Sequence, residues 1–486
     1  MEDKIRNLEP KVLWNHFADI NAIPRPSKKE EKAIQFLKEF GEKLGLTTYV
    51  DKVGNVIISK PATKGKEKCI PVILQGHIDM VAQKNEGVDF DFEREGIKMV
   101  IDGDWVKADG TTLGADNGIG VAAAMSVLSS DDIAHGPLEV LVTMDEETGM
   151  TGAKALEAGK MKGKIMLNLD SEDENELTIG CAGGIDVSIT GNYEEKKVKK
   201  SHLAYKITLK GLKGGHSGME IHLGRGNANK IMNRILFNLD EEIGIGISYI
   251  NGGGLRNAIP RESKSLIVIK ENDEDLMLKY FNEMVSQLKL EYKVTDPDME
   301  IFIEEEELPA RIMKSFFMRD LLSAIYSNPN GIYRMSPDVA GLVQTSNNLA
   351  RVFVEGGTVE INNLTRSSVD SEKMDLANAI KASYIRYGAD ISMTGSYPGW
   401  APDPNAGINK VMSDLFEKEY GKKPLITACH AGLECGIIKN NYPDVDMISF
   451  GPNIRGPHSP DEKVQISSVN RFWIFLKNTL ENIPEV

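Results

Sequence analysis

The chain has 486 residues, a formal net charge of −15 and four cysteines. Its length favours two or three domains over a single core. Because nucleic acids and anionic membranes are bound through clustered Lys and Arg, the acidic balance predicts neither as a partner. Four cysteines with no Cys-x-x-Cys pair predict neither a disulfide framework nor a thiolate zinc site. The first residues lack a secretory signal and no run reaches the roughly 18 apolar residues of a membrane helix, so we expect a cytoplasmic protein.

The first 60 residues predict helices followed by strands. Residues 9–45 have a helical pattern that the segment PRPS (24–27) interrupts, and Ser27 is the predicted N-cap of the second helix. Residues 47–60 have strand character around a Gly-Asn turn. The change of period indicates that a sheet begins here.

The segment PVILQGHIDM (71–80) is typical of a buried strand that ends in polar residues. His77 and Asp79 are two positions apart, so an extended chain directs both side chains to one face. The carboxyl ends of strands are where open α/β sheets place their chemistry. An imidazole whose second nitrogen is held by a carboxylate suits a metal site. A solvated His and Asp at a strand end is the alternative.

Three more segments continue this arrangement. Residues 114–129 begin as a Gly-rich turn and become an Ala-rich helix, while 137–150 form an apolar strand followed by acids. Residues 162–180 repeat the strand pattern with Asp170 at the strand end. Parallel strands in one sheet bring their carboxyl ends to one edge, so we expect one α/β sheet with one site.

From about residue 185 to 395 the pattern differs. Amphipathic helices, predicted at 227–239, 275–290, 311–327 and 371–387, alternate with strands in the α+β manner. After Pro398 the α/β pattern returns, with a last strand in VDMISFG and a helix from Ser467. The predicted fold class is α/β, in which a central, mostly parallel sheet is flanked by helices in a discontinuous catalytic domain, residues 1–184 and 396–486. The inserted domain, residues 185–395, is predicted as α+β with an antiparallel sheet.

Acidic residues follow the predicted strands and turns. Asp116 lies among glycines in GADNGIG, where the backbone can turn closely around its carboxylate. A phosphate-binding turn is the alternative there, although no Gly-Lys-Ser/Thr follows. Glu146 and Glu147 in MDEETG repel each other unless they are solvated or neutralised by cations. Asp170 could be a turn former, and His458, in a Gly- and Pro-rich loop, could be a surface histidine.

Together these residues indicate a metal centre at one sheet edge. Two imidazoles with several carboxylates suit zinc, manganese or cobalt, and a bridging carboxylate suits two ions about 3.5–4 Å apart. The candidate residues are His77, Asp79, Asp116, Glu146, Glu147, Asp170 and His458.

Six motifs, in order along the chain, resemble those of a known family: PVILQGHIDM, DGTTLGADNGIG, MDEETG, NLDSED, KGLKGGHSG and GPNIRGPHSP. From end to end the chain is similar to the aminoacylase and carboxypeptidase G type of co-catalytic zinc metallopeptidases, and within that type to the aminoacyl-histidine dipeptidase branch. The resemblance implies a catalytic domain that holds two divalent metal ions, together with an inserted lid domain.

The resemblance also implies a role for each motif residue of the catalytic domain. Glu146 is implied as the general base and Asp79 as the residue that orients a metal-binding imidazole. The implied metal ligands are Asp116 as the bridge between both ions, His77 and Asp170 on one ion, and Glu147 and His458 on the other.

In the inserted domain the resemblance implies substrate contacts. His216 in KGLKGGHSG is implied to stabilise the oxyanion, and a histidine of an ordinary surface loop is the alternative. Asn257 and Arg366 are implied to bind the substrate, and so is Gly432 of the HAGLECG motif (430–436), which lies outside the inserted domain. The fork of the Arg366 guanidinium suits the substrate's C-terminal carboxylate.

The expected function is hydrolysis of unblocked dipeptides of the Xaa-His or carnosine type, by a water that two metal ions acidify and Glu146 deprotonates. Zinc is the favoured metal, with manganese or cobalt as alternatives. A related tripeptidase or N-acyl amino acid deacylase would use the same site, and a non-catalytic metal-binding scaffold is the alternative from another class. A small peptide is the expected partner, and a homodimer is the favoured assembly.

Overall fold

The computed structural model describes residues 2–385 and 388–485, which form two compact units. The first unit comprises Met1–Gly180, Pro402–Ala428 and Leu433–Val486. The second comprises Cys181–Ala401 and Cys429–Gly432. The division into a catalytic and a lid domain, with limits at 184/185 and 395/396, stays a prediction.

The helices and strands are numbered in chain order. The helices are α1 Glu2–Ile5, α2 Lys11–Asn21, α3 Glu31–Lys43, α4 Ala115–Ser129, α5 Glu146–Gly149, α6 Thr151–Ala155, α7 Ala228–Ile243, α8 Glu274–Tyr292, α9 Ser315–Ser327, α10 Asp370–Tyr384, α11 Gly407–Tyr420, α12 Glu434–Asn441 and α13 Ile466–Glu481. The strands are β1 Thr47–Val50, β2 Val56–Lys60, β3 Val72–His77, β4 Met99–Asp102, β5 Trp105–Ala108, β6 Leu138–Thr143, β7 Ile165–Asn168, β8 Glu176–Cys181, β9 Gly183–Asn192, β10 Glu195–Lys197, β11 His202–Lys210, β12 Gly246–Gly253, β13 Ser263–Lys270, β14 Glu300–Glu306, β15 Arg311–Met313, β16 Gly331–Met335, β17 Val343–Glu355, β18 Thr358–Ser367, β19 Asp390–Tyr397, β20 Leu425–Cys429, β21 Asp446–Ser449, β22 Ile454–Arg455 and β23 Lys463–Gln465.

An eight-stranded sheet organises the first unit, with the strand order β1-β2-β6-β3-β7-β21-β8-β20. The four central strands β6, β3, β7 and β21 run parallel, while β1 and β2 are antiparallel. Strands β3, β6 and β7 are buried along their whole length, as expected where both faces of a sheet are covered. The predicted α/β class is confirmed.

The register of the parallel strands decides which side chains meet at the sheet edge. His77 lies beside Thr143 of β6, and Gln75 lies beside Asn168 of β7. The chain therefore leaves β3, β6 and β7 at nearly the same level. Segments far apart in sequence reach one edge of the sheet because of this register.

The second unit is built on a nine-stranded sheet. Its main order is β14-β11-β13-β12-β17-β18-β9-β19, with β16 paired to β17, and all of these pairs are antiparallel. Apolar residues of α7, α8, α9 and α10 join those of the sheet in one core. The predicted α+β arrangement is thus confirmed. No helix of the described residues is long and apolar enough to span a membrane.

Several predicted boundaries were wrong. The helix predicted at 311–327 begins at Ser315, because Arg311–Met313 pairs with β10 as a strand. Ser27 does not cap α3, which begins at Glu31. The strand VDMISFG is not the last, since β22 and β23 follow it. Residues 386 and 387, at the end of the helix predicted at 371–387, lie outside the described residues.

Strand β18 offers a test of the second unit's core. Ile361 is fully buried, whereas its neighbour Glu360 points outward and is exposed. Replacing Ile361 by Ala should lower the free energy of unfolding by about 2–5 kcal/mol, because it leaves a cavity in a packed core. The control Glu360→Ala should change it by less than about 0.5 kcal/mol. Urea denaturation followed by circular dichroism measures both, and equal small effects would contradict the packing described.

Candidate metal centre

The predicted metal ligands of the first unit lie at the carboxyl edge of its large sheet. His77 is the last residue of β3, and Asp170 follows β7 by two positions. Glu147 belongs to the short helix α5 after β6, and Asp116 is the second residue of α4. His458 lies in the loop between β22 and β23. The fold therefore brings together residues spread over most of the chain.

The Asp116 carboxylate lies between the two imidazoles. Its Oδ1 is 3.1 Å from Nε2 of His77, and its Oδ2 is 3.2 Å from Nε2 of His458. Each oxygen thus faces a different histidine. This is the arrangement expected of a carboxylate that bridges two cations.

Each histidine has a second acidic neighbour. Nε2 of His77 is 3.4 Å from Oδ1 of Asp170, and Nε2 of His458 is 3.0 Å from Oε2 of Glu147. His77, Asp116 and Asp170 each offer a ligand atom within 4.8 Å of the others, and so do Asp116, Glu147 and His458. Two three-residue groups therefore share Asp116.

Asp79 connects the metal ligands to the backbone of α5. It is fully buried, and its Oδ1 is 3.3 Å from Nδ1 of His77. Its carboxylate accepts hydrogen bonds from the backbone N–H groups of Glu146 (3.0 Å) and Glu147 (3.2 Å) and from the Ser27 hydroxyl (2.8 Å). Burial by itself would raise the pKa of Asp79, but these contacts lower it to about 2. Ser27, predicted as a helix cap, is instead part of this cluster.

Glu146 differs electrostatically from its neighbour in sequence. Burial raises its pKa well above the ordinary value, and the charges of Asp170, Glu434 and Glu147 add to the effect. It lies close to the ligands, since its carboxylate is within 4.8 Å of ligand atoms of His77 and Glu147. A carboxyl group that holds a proton more readily than usual is suited to proton transfer.

The pKa values of the two imidazoles are also raised, by neighbouring acids rather than by burial. Burial by itself would lower the pKa of His77, but Asp170, Asp116 and Asp79 raise it well above the ordinary value. Hydrogen bonds to Asp116 and Glu147 raise the pKa of His458 to about 11. The acids around these rings therefore favour positive charge at this site, which bound cations would supply.

The donor set fits two divalent cations. Glu147 Oε1 is buried and has no hydrogen-bond partner among the described residues, and the buried Asp170 Oδ1 has only the ion-pair contact with His77 at 3.4 Å. An unpartnered buried carboxylate oxygen is costly unless a ligand satisfies it. Imidazole nitrogens combined with carboxylate oxygens suit zinc, manganese and cobalt.

The sequence analysis missed three buried residues around this centre. Arg25 and Glu462 contact the backbone that leads to Asp116. Glu434 is 2% exposed, and its Oε2 accepts hydrogen bonds from the side chains of Gln75 (2.7 Å) and Thr143 (2.6 Å). Burial raises the pKa of Glu434 to about 8. Of the three, only Glu434 lies in a motif with a predicted role, since HAGLECG also contains Gly432, a predicted substrate-binding residue.

The predicted lid residues lie near one another within the second unit. Nδ1 of His216 accepts hydrogen bonds from the backbone N–H groups of Gly218 (3.2 Å) and Met219 (3.0 Å). A Cβ added to Gly218 would lie 3.1 Å from both the His216 ring and Nε of Arg366, and it would overlap the carbonyl of His430. Gly218 is therefore a meeting point of three segments.

The other predicted substrate-binding residues belong to the same surroundings. The backbone carbonyl of Asn257 accepts the N–H of Ser217 at 2.8 Å, next to His216. Gly432 follows His430 by two positions. Arg366 is 5% exposed and donates to the Tyr397 hydroxyl at 3.1 Å, while its Nε has no hydrogen-bond partner among the described residues.

Asp170 provides a test of the metal centre. Metal-free protein should bind two Zn²⁺ per chain. Asp170→Asn should weaken the binding of one Zn²⁺ by at least about tenfold, because Asp170 belongs to only one of the two groups of ligands. Asp173, three positions on, pairs with Arg455 at 2.9 Å, so Asp173→Asn should still bind both ions. Isothermal titration calorimetry measures the stoichiometry. If Asp170→Asn binds both Zn²⁺ ions with wild-type affinity, the assignment is contradicted.

Comparison with known proteins identifies relatives along the whole chain. The cytosol non-specific dipeptidase of Escherichia coli K12 is 42% identical over 484 residues, which cover 99% of each chain. The crystal structure of aminoacylhistidine dipeptidase from Vibrio alginolyticus superposes with a TM-score of 0.96 at 45% identity and covers 99% of this chain and 98% of that one. Aminopeptidase PepT from Bacillus cereus, at 17% identity and a TM-score of 0.57, shares the fold.

The family comparison agrees with the geometry of the site. The model of peptidase family M20/M25/M40 matches residues 73–482, a range that begins in β3 and ends just after α13. It includes each of the candidate metal ligands. The chain belongs to the M20/M25/M40 family of metallopeptidases.

Proposed function

We propose that this hydrolase is a metal-dependent dipeptidase that cleaves unblocked dipeptides. The observation that carries the proposal is the position of Asp116, with one carboxylate oxygen facing His77 and the other facing His458. The names of the relatives from E. coli and V. alginolyticus, both dipeptidases aligned over nearly the whole chain, support it.

The metal ligands proposed are those implied by the resemblance. His77 and Asp170 would hold one cation, Glu147 and His458 the other, and Asp116 both. When bound, the two cations would lower the pKa of a water molecule and polarise the scissile carbonyl. The donor set favours zinc, with manganese or cobalt as alternatives.

Glu146 is the proposed general base. It takes a proton from the attacking water and then gives it to the leaving amine. The raised pKa of its carboxyl group suits both transfers. Its neighbour Glu147 is engaged by His458 at 3.0 Å, so the two adjacent glutamates have different tasks. Asp79 supports them by holding their backbone N–H groups.

In the second unit, His216 is proposed to donate a hydrogen bond to the oxyanion. Its Nδ1 accepts two backbone N–H groups, so the proton of the neutral ring lies on Nε2. Burial and the charge of Arg366 lower the pKa of His216, which favours that neutral form. Nε2 is therefore a donor, as stabilisation of an oxyanion requires.

Arg366, Asn257 and Gly432 are the proposed substrate-binding residues. The buried Nε of Arg366 has no hydrogen-bond partner within residues 2–385 and 388–485, so it is an available donor of a planar fork, which suits a carboxylate. A dipeptide has such a carboxylate at its C-terminus. Preference for histidine at that position is proposed from the name of the V. alginolyticus relative, while the E. coli relative is called non-specific.

A cytoplasmic location is proposed from the name of the E. coli relative, and a homodimer stays a prediction. A tripeptidase or an N-acyl amino acid deacylase would need a different substrate pocket around the same metals. The two dipeptidase relatives disfavour both alternatives. A non-catalytic scaffold would not need Glu146, which is present.

Glu146→Gln tests the general base. The substitution keeps the shape of the side chain but removes the proton acceptor, so kcat should fall about 10²–10⁴-fold. Binding of two Zn²⁺ should persist, because Glu146 is not a proposed ligand. Glu157→Gln, an exposed acid of the same unit, is the control and should keep full activity. Turnover of a dipeptide panel and calorimetric metal titration are measured; wild-type turnover in Glu146→Gln would refute the role.

Arg366→Ala tests the carboxylate clamp. KM for free dipeptides should rise about 10- to 100-fold, since hydrogen bonds to a charged group contribute about 1.5–3 kcal/mol. C-terminally amidated dipeptides should be affected much less. The control is Arg351→Ala, which removes another arginine of the same sheet, one that bonds to Asn251 and Gly253. Equal losses for free and amidated substrates would exclude the clamp.

A further inference from the structure

The turn before Asp116 has no side-chain cap of its own. Helix α4 begins after Gly114, which adopts a left-handed conformation and has no side chain that could cap the helix. Four N–H groups at a helix start need partners, and a ligand that must face two imidazoles needs a fixed backbone. Two buried charged residues from distant segments provide these partners and fix the backbone.

Glu462 satisfies the N–H groups of this turn. Its Oε2 accepts from Leu113 (2.8 Å) and Gly114 (2.9 Å), and its Oε1 accepts from Ala115 (2.7 Å) and Asp116 (3.2 Å). The side chain is 2% exposed. One carboxylate thus binds four consecutive backbone groups, the last of which belongs to the proposed bridging ligand.

Arg25 binds a backbone carbonyl of the same turn. It is 1% exposed, and its Nη2 donates to the Gly114 carbonyl at 2.6 Å. Its Nη1 donates to the carbonyls of Ile78 (2.7 Å) and Asp79 (3.3 Å), directly after His77. One guanidinium therefore connects the two backbone segments that carry His77 and Asp116.

The glycines of the GADNG motif make room for this arginine. A Cβ added to Gly114 would lie 2.5 Å from Nη2 of Arg25, and one added to Gly118 would lie 2.7 Å from the same atom. Both distances are shorter than real Cβ contacts allow. Glycine at both positions around Asp116 is thus explained by close packing against Arg25.

We infer that Arg25 and Glu462 form a brace that positions Asp116 against His77, so that both cations meet a preformed set of ligands. Both residues contact the backbone of these segments and neither is a proposed metal ligand, so they are positioning residues. The inference rests on the proposed function, in which Asp116 bridges the cations.

The charge of Arg25 gives the brace a second effect. The acids whose charges act most strongly on Arg25 are Glu462, Asp79, Asp116 and Glu147. Burial lowers the pKa of Arg25 to about 10, so the guanidinium stays protonated at neutral pH. It is a permanent cation among these acids. The protein without metal should therefore depend on Arg25 more than the metal-loaded protein does.

The test compares Arg25→Met, Arg25→Lys and Glu462→Gln with the wild type. Each protein is stripped with a chelator and titrated with Zn²⁺ alone against a competing chelating dye. Arg25→Met and Glu462→Gln should raise Kd for Zn²⁺ by about 10- to 100-fold, as the loss of groups that orient metal ligands does. At saturating Zn²⁺, kcat should return to within about threefold of wild type.

Arg25→Lys separates charge from geometry. Lysine keeps the positive charge but lacks the planar fork that reaches three carbonyls. The melting temperature of the stripped protein should therefore fall less than in Arg25→Met, while Kd for Zn²⁺ still rises. If Arg25→Met does not fold, the Kd values of Arg25→Lys and Glu462→Gln decide the matter.

Arg471→Met is the matched control. Arg471 makes a two-pronged pair with Glu174, both contacts at 2.7 Å, in the same unit. Its loss should lower the melting temperature and leave Kd for Zn²⁺ unchanged. If the brace variants bind two Zn²⁺ with wild-type Kd, the inference is overturned and the proposed function stands. If the wild type itself binds no pair of Zn²⁺, the proposed function fails first.

Discussion

The structure depends on the balance of charge at one edge of the large sheet. Five carboxyl groups approach one another there, and like charges a few Å apart repel strongly where water is excluded. The acids raise the pKa values of both imidazoles, and burial raises that of Glu146, so each of these groups holds a proton more readily than usual. Arg25 contributes a permanent positive charge. Cations that replace the protons would find donors already in place, which explains how so acidic a cluster can exist inside a folded domain.

Beneath this cluster lies a layer of polar side chains that fixes the strand ends. Gln75, two positions before His77, contacts Glu434 and accepts a hydrogen bond from Asn168, which itself precedes Asp170 by two positions. Asn168 also accepts from Ser449 of β21. Neighbouring strands are thus connected by side chains as well as by backbone. Because these hydrogen bonds join side chains of neighbouring strands, the network ties the geometry of the site to the register of the sheet.

The two units contribute different chemistry. The first contains the proposed metal ligands, which lie near strand ends and helix starts and, for His458, in a loop. The second gathers His216, Arg366 and the segment of His430 around Gly218, where a side chain would not fit. His216 and Arg366 carry hydrogen-bond donors, which recognise carboxylates and oxyanions rather than cations. In the proposed dipeptidase, the first unit would therefore activate water and these two residues would bind the peptide.

The amino-acid sequence determined the buried strands, the acids and histidines that follow them, and the family. These features are local: β3 and its terminal His77 are visible in ten consecutive residues, as is the turn around Asp116. The start of α9 was misplaced, because Arg311–Met313 joins a strand from a distant segment. Arg25 and Glu462 could not be predicted, since their partners are backbone groups 53 to 349 positions away and a carbonyl or N–H carries no sequence signal. The residues proposed to carry the chemistry could thus be chosen from sequence, whereas what holds them in place was decided by tertiary structure, because positioning depends on contacts between segments that only folding brings together.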